Sequence, residues 1–580
     1  MGQIRFVDLC AGLGGFHRGA SLARAVADGA PQFNCVLSSE ADEGLRGVYA
    51  QNFGEELERT YRVLFPPARC VGHEALGDLW DEDERLVRVH GRIEALLESW
   101  EGADGNGDEM IVPPHDLLMA GFPCQPFSKS GAQLGFDDEE SGRGTVFHLI
   151  ARILEVRKPS YVLLENVGNF ERHDGGNTWA TVREWLERSY DVIATSHVGL
   201  NKGEGLLSPH LFGLPHHRER FFICAQRKEL GGFERHPFPL TARSITDKAQ
   251  REERQREVAV EASAALAAIT QGSRLHASAE ELEQAQLTAE QVGCISHWQA
   301  LLSRIDRLGD SVESNPLRPL PSFPIWGFEL DPWHHYPFEE DCPPALAYSD
   351  GQLKGYRRAA VTQAKRLGLA EPASGKNRET FHGKPVTEWL DAWPGYASRR
   401  NDWPRWKQRF IEQNRDLAWR LLEAFAGADQ LDWYRSWLDE LYEMSPSFQK
   451  LEWNCQGEVL DLWQHILQFR PSGLRVKRFR HVPALVALTT TQVPIVPRPH
   501  GEPHHGGDPR SRSRFLLPTE GKRLQGLDWG WTLPERHTRA FKALGNAVHA
   551  EVVSLILQKW LLGLDVGEPE RVDETVLFPM

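Results

Sequence analysis

A chain of 580 residues, a quarter of them charged and 41% apolar, is too long for one hydrophobic core, since single cores stop growing near ~250–300 residues. A formal charge of −15 excludes nucleic-acid binding over the whole surface and leaves a local basic face open. No basic-then-apolar leader opens the chain, no apolar run approaches the ~20 residues of a membrane span, and eight cysteines without a Cys-x-x-Cys pair indicate neither zinc nor disulfides. A full-length cytosolic protein with free thiols and no metal is expected.

Residues 1 to about 230 alternate short β-rich apolar runs with amphipathic stretches, which predicts an α/β domain with a largely parallel sheet. Strands are expected at 4–10, 33–38, 116–119, 161–164, 192–196 and 220–225, and helices at 15–27, 43–52, 146–157 and 179–188. Between the second and third strands, "DEDERLVRVHGRIEALLESWEGADGNGDE" reads as a surface insertion, a helix ending in a Gly/Asp loop. From about 240 to 310 the text is rich in Ala, Glu, Gln and Arg, a solvated helical scaffold. Residues 315 to 470 are rich in Trp and Pro, and their tryptophans read as core. Then "FRPSGLRVKRFRHVPALVALTTTQ" holds Arg470, Arg475, Lys477, Arg478 and Arg480 with no acid among them. A phosphate-facing loop and a solvated face explain these cations equally well.

The first strand runs into "DLCAGLGGFHRG", a glycine-rich turn opening a helix, where backbone can approach a ligand at the carboxyl edge of a parallel sheet. A dinucleotide fingerprint starting at Gly12 would put His17 at the third glycine, which disfavours NAD. Glu40, closing the second strand, is placed to accept hydrogen bonds from ribose hydroxyls or is an ordinary surface acid. A nucleoside-containing ligand without a pyrophosphate fits both features, and S-adenosylmethionine is the obvious one.

Three further pieces fall at strand ends of the same lobe: Cys124 in "GFPCQPFS", Glu165 in "LLENVGNF", and Arg218 with Arg220 in "HHRERFFI". Ends of parallel strands at one edge converge on one cleft. A thiol with a pKa near about 8.5 is a strong nucleophile even when only a few per cent ionised, and a carboxylic acid beside a guanidinium can polarise a planar heterocycle. Singly, each reads equally as a buried thiol, a strand-end acid and a surface arginine pair.

In combination and order, "DLCAGLGG", "GFPCQPFS", "ENV", "RER", "RLQGL" and "LGNAV" resemble the DNA (cytosine-5) methyltransferases of bacterial restriction-modification systems. The resemblance implies a Rossmann-like S-adenosylmethionine-dependent methyltransferase fold with a large inserted target-recognition domain. It divides the chain into a catalytic part at 1–235, a recognition domain at 236–513 and a closing segment at 514–580 that returns to the catalytic part.

Residue by residue, it implies that Cys124 attacks C6 of a flipped-out cytosine while Pro123 shapes its turn. Glu165 would hold N3 and the exocyclic amine, Arg220 the ring O2, Arg218 the closed loop and a phosphate, and Asn166 the loop carrying Cys124. Gln125 and Ser128 would begin a mobile DNA-contacting loop, and Arg475, Lys477 and Arg478 would meet phosphates. Cys10, Ala11, Gly12, Leu13, Gly14 and Gly15 would cradle the methionine part of the cofactor and Glu40 its ribose. Asp78 and Leu79 would hold the adenine, with Ala41, Phe122, Thr145, Val146, Asn546 and Val548 completing the pocket.

The expected partner is double-stranded DNA, met by a monomer, with a cognate restriction endonuclease in the same system. Cys10 stands where the family usually has Phe, Ala41 is too small to stack on adenine, and His216 stands where Gln commonly precedes the Arg-x-Arg pair. The alternatives are an RNA cytosine-C5 methyltransferase and a catalytically silent DNA-binding module of the same fold.

Overall fold

The computed structural model describes residues 2–25, 31–64, 89–90, 112–122, 146–196, 205–233, 236–309, 315, 317–321, 324–331, 380–381, 384–385, 405–425, 428–485, 492–499 and 512–564. These fall into two compact units: one of residues 1–281, 480–490 and 517–580, the other of 282–479 and 491–516.

The first unit is built on β1 (Gln3–Leu9), β2 (Gln32–Ser39), β3 (Val89–His90), β4 (Leu117–Gly121), β5 (Tyr161–Val167), β6 (Tyr190–Ala194), β7 (His216–His217) and β8 (Arg220–Arg227). All but β7 form one sheet in the order β3-β2-β1-β4-β5-β8-β6. Neighbouring strands from β3 to β5 are parallel, whereas β8 runs antiparallel to both β5 and β6. Strands 1, 4 and 5 read as nearly continuous apolar runs because helices cover both faces of such a sheet. Strand order reverses between β1 and β4, which opens the ligand crevice of doubly wound folds at the carboxyl ends of those two strands.

Four helices of this lobe, Gly15–Ala25, Glu43–Leu64, Val146–Arg157 and Asn177–Leu186, lie where the hydrophobic pattern puts them, the second one running on by three turns. Residues 89–90 differ from the expected insertion helix: they extend the sheet edge beside Ser38 and Ser39. The β-branched Val89 suits an edge strand. The rest of that helix lies outside the described residues.

The closing segment supplies the helices His537–Asn546 and Ala550–Leu562. Residues 537–562 are apolar enough to span a membrane by composition, yet they are mostly buried within the protein. Gly19 explains the close fit: a Cβ there would lie 2.6 Å from the Val553 side chain, so only glycine lets the two helices approach this closely. The long helix Lys248–His276 also belongs to this unit. Its buried Ser273 donates to Glu520 Oε1 at 3.0 Å. Residues 480–490 return here as well, β15 (Val482–Pro483) pairing with β7. The division therefore differs from 1–235, 236–513 and 514–580, because the scaffold helix has an apolar stripe (Val258, Ala262, Leu266, Ile269) that is buried.

The second unit carries β9 (Pro324–Trp326), the pair β10 (Thr380–Phe381) and β11 (Lys384–Pro385), β12 (Lys450–Asn454), β13 (Ile466–Arg470), β14 (Gly473–Lys477), β16 (Ile495–Pro497) and β17 (Ser513–Phe515). Apart from β10 and β11 they form a sheet in the order β17-β16-β13-β14-β12-β9. Leu451, Trp453, Leu467, Phe469, Leu474 and Val476 enter one core with Trp298, Trp437 and Trp463. Trp326, Trp437, Trp453 and Trp463 are buried, as their sequence context suggests, and Trp419 and Trp433 pack partly buried against that core.

Candidate active site

The glycine turn follows directly from backbone geometry. Cys10 leaves β1 at φ 55°, Gly12 lies at φ 54° and Gly14 at φ 83°, the left-handed region that glycine enters without penalty and cysteine does not. A Cβ on Gly12 would meet nothing within 4 Å among the described residues, so these leave the turn open. Beneath it, the Gly12 amide donates to Glu40 Oε2 at 2.8 Å and the Asp42 amide to Glu40 Oε1 at 2.9 Å. Each carboxylate oxygen keeps a second acceptor position. That donor and acceptor set fits a ribose diol, and the open glycine backbone fits a methionine tail, so the residues present suit S-adenosylmethionine. Ala41 and Asn546 are exposed, whereas Ala11, Leu13 and Val548 are buried.

Closing residues wrap the same turn. Trp531 Nε1 donates to the Leu13 carbonyl at 3.2 Å, and a Cβ on Gly15 would stand 2.2 Å from the Val548 carbonyl oxygen. Gly15 is therefore required for close approach, and residues 518 and 533 positions apart in sequence meet at one turn. Phe122 differs from its expected cofactor role in its ring, which packs edge-on against Phe170 at 5.5 Å and beside Phe147. An apolar ring at 3% exposure gains more from the core than from a polar ligand. Val146, at the start of its helix, packs partly buried against the same cluster.

The second half of the site is set by strand direction. Because β8 is antiparallel, its first residue lies at the carboxyl end of β5, with Arg220 opposite Val167. Arg220 Nε and Glu165 Oε1 are 2.8 Å apart, with side chains 17% and 9% exposed. Glu165 Oε2 lies 3.6 Å from where a Gly121 Cβ would stand, at the end of β4. Burial raises the Glu165 carboxyl above its ordinary range, while Arg220 and then Arg218 pull it back. Such an acid can carry a proton at higher pH than an exposed glutamate and hand it to a ring nitrogen. Asn166 donates through Nδ2 to the Phe122 carbonyl at 3.0 Å and accepts from the Val167 amide at 2.9 Å, which ties the end of β5 to the residue before Pro123.

Arg218 departs from the phosphate-facing role expected of it. It is 1% exposed, its amide donates to Ser208 Oγ at 2.9 Å and its Nη2 to the Ala547 carbonyl at 2.7 Å. The strand entry turns its side chain toward the closing segment, so no phosphate can reach it in this arrangement. His216 is buried too, its Nδ1 donating to the Leu524 carbonyl at 2.9 Å. Burial first, then the charge of Arg218, keeps its imidazole neutral. It thus ties β7 to "RLQGL".

Pro123, Cys124, Gln125, Ser128, Asp78, Leu79 and Thr145 lie outside the described residues. Sequence reasoning passed over Asp8, Tyr49, Ser208 and Trp531. An aspartate inside an apolar strand was the available signal for the first: Asp8 is fully buried, and Tyr49 donates to its Oδ2 at 3.3 Å.

In the second unit the basic stretch is a hairpin, not a loop. Arg475 pairs across β13 with Gln468 and across β12 with Glu452, and Lys477 with Ile466 and Asn454. The two-residue period puts the charges on the face opposite the core. Acids come from elsewhere in the chain: Arg475 Nε meets Glu452 Oε2 at 2.7 Å, and Arg478 Nε meets Glu458 Oε1 at 2.9 Å. No acid within 470–480 predicted either pairing.

A glycine turn at the switch point, a ribose-type carboxylate at the end of β2 and an acid–arginine pair at the next strand ends define a Rossmann-like methyltransferase that uses S-adenosylmethionine. The chain matches the family model for C-5 cytosine-specific DNA methylase over residues 4–61 and 101–314. It is similar to the type II methyltransferase M.AluI of Cellulosimicrobium cellulans, at 29% identity over 96% of this chain and 91% of that protein. It is also similar to type II methyltransferase M.HhaI of Haemophilus parahaemolyticus, at 34% identity over 39% of this chain and 50% of that one. Type II methyltransferase M1.ScrFI of Lactococcus lactis subsp. cremoris matches at 33% identity over 42% and 47%. The chain spans about half the length of these last two relatives.

Proposed function

We propose that the protein methylates C5 of a specific cytosine in double-stranded DNA, as the modification enzyme of a restriction-modification system, acting as a cytoplasmic monomer alongside a cognate endonuclease. The observation that carries this reading is the buried Glu165–Arg220 pair at 2.8 Å, beside the strand end that leads into Pro123 and Cys124. An acid held above its usual pKa next to a guanidinium suits the N3 and O2 edge of cytosine, and M.AluI is named as a type II methyltransferase.

In this mechanism the base leaves the duplex, because its reacting carbons are inaccessible in the stack. The Cys124 thiolate bonds to C6 as the C5–C6 π bond opens. Glu165 gives its proton to N3 while Arg220 holds O2, so negative charge is absorbed where it develops. C5 becomes an enamine-type carbon nucleophile. The Ala11–Gly15 backbone, Glu40, Asp78, Asn546 and Val548 would hold S-adenosylmethionine, whose sulfonium would supply the methyl group and leave as the neutral thioether. Loss of the C5 proton to solvent and departure of Cys124 as thiolate restore the ring, and N3 returns its proton to Glu165. Asn166 holds the base of the Cys124 loop throughout.

Arg475, Lys477 and Arg478 contribute phosphate contacts from the second unit, which reads the DNA sequence. Bisulfite sequencing of host DNA with and without the gene tests the reading. One protected cytosine context in the presence of the gene supports it, and unchanged conversion throughout the genome contradicts it.

A further inference from the structure

Resting on the cytosine-methylation reading, we infer that Arg218 is a positioning residue that couples the cofactor side of the first unit to the Glu165–Arg220 pair. Its guanidinium touches neither reactant in the roles given above. Instead Nη2 holds the carbonyl of Ala547 at 2.7 Å, the residue between Asn546 and Val548, both assigned to the cofactor. The Val548 carbonyl in turn lies against Gly15 of the glycine turn. The short segment 546–548 is therefore gripped from one side by the cofactor turn and from the other by Arg218.

The other end of the connection is equally direct. Arg218 stands two residues before Arg220, with its amide fixed by Ser208 Oγ at 2.9 Å. Burial opposes its charged form most, Arg220 opposes it next, and the Glu165 carboxylate favours it, so the one acid faces both cations. Among the described residues Arg218 Nε and Nη1 have no hydrogen-bond partner, although the residue is 1% exposed. A buried cation with unfilled donors is costly and keeps its place only where its surroundings dictate it. Any displacement of the Ala547 carbonyl changes that place, and with it the shared field at Glu165 and the strand entry that aims Arg220. Coupling between two ligands requires a group that both sides bias, and Arg218 meets that condition.

The test measures the affinity of the full-length protein for a duplex carrying its methylated site, with and without S-adenosylhomocysteine, a cofactor analogue lacking the transferable methyl. The ratio of the two affinities is the coupling. In the wild type it should be tenfold or more. Arg218→Met should reduce it to within twofold of unity while the affinity for either ligand alone changes less than threefold. Arg218→Lys, which keeps one donor, should retain an intermediate ratio, and it decides the matter if the methionine variant does not fold. A wild-type ratio near unity, or a full ratio in Arg218→Lys and Arg218→Met, overturns the inference. So does loss of both separate affinities in parallel, the signature of a purely structural arginine. Absence of DNA methylation by the wild type would instead refute the underlying function.

Discussion

Asn166 and Phe122, 44 positions apart, are joined by a 3.0 Å hydrogen bond from the Asn166 side-chain amide to the Phe122 carbonyl. The bond fastens the strand end bearing Glu165 to the last described residue before Pro123 and Cys124. It ties "ENV" to Phe122 at the end of β4. Asn166→Ala leaves that carbonyl unpaired at a cost of about 1–3 kcal/mol. Single-turnover methylation should slow by roughly ten- to a hundredfold, with cofactor affinity unchanged. An unaltered rate would separate the two strand ends.

Gly15→Ala places a methyl group 2.2 Å from the Val548 carbonyl, and backbone has to move to admit it. Overpacking of this kind costs about 1–3 kcal/mol. Thermal unfolding and S-adenosylmethionine titration should show a lower Tm and weaker cofactor binding together. A lower Tm with full affinity would mean that Val548 is not part of the cofactor pocket.

Burial lifts the Asp8 carboxyl from 3.8 to about 8, partly offset by the Tyr49 hydrogen bond. The folded state then keeps a proton that the unfolded chain releases between about pH 4 and pH 8. The resulting stability is fully present below the unfolded pKa and is lost as pH rises through the folded one. Asp8→Asn cannot ionise, so its stability relative to the wild type should climb with pH across that window, by several kcal/mol at about 1.36 kcal/mol per unit. Urea denaturation at pH 5, 6, 7 and 8 measures the difference. Parallel curves for the two proteins would contradict it.

The basic hairpin separates two effects. Arg475→Ala strips the partner from Glu452, which is 6% exposed, and should destabilise the second unit as well as weaken DNA binding. Arg478→Ala releases Glu458, whose side chain is 36% exposed, at a cost of no more than about 1 kcal/mol. Lys477→Ala should lower the slope of log affinity against log salt by about 1 with little change in Tm. If all three variants keep the wild-type slope, phosphate binding lies on another surface.

Much of the first unit could be read from sequence because its signals are local. Apolar runs gave six strands, and a helical pattern gave 146–157 with both ends correct. Glu40, Glu165 and Arg220 were legible as strand-end residues. What was hidden depends on distant partners. That Arg220 reaches the carboxyl edge follows from the reversed direction of β8, which no residue within the strand announces. That Arg218 points inward depends on Ala547, 329 positions away. Arg475 looked uncompensated until β12 brought Glu452 beside it.

Covalent capture tests the central claim most directly. The full-length protein is incubated with S-adenosylmethionine and a duplex carrying 5-fluorocytosine at the cytosine mapped in host DNA, and resolved under denaturing conditions. Fluorine at C5 blocks the final elimination, so an enzyme–DNA adduct should accumulate, sensitive to omission of the cofactor and abolished by Cys124→Ala. Glu165→Gln should form it far more slowly. No adduct on any duplex, alongside an adduct on 5-fluorocytosine RNA, would contradict the assignment of DNA as the substrate.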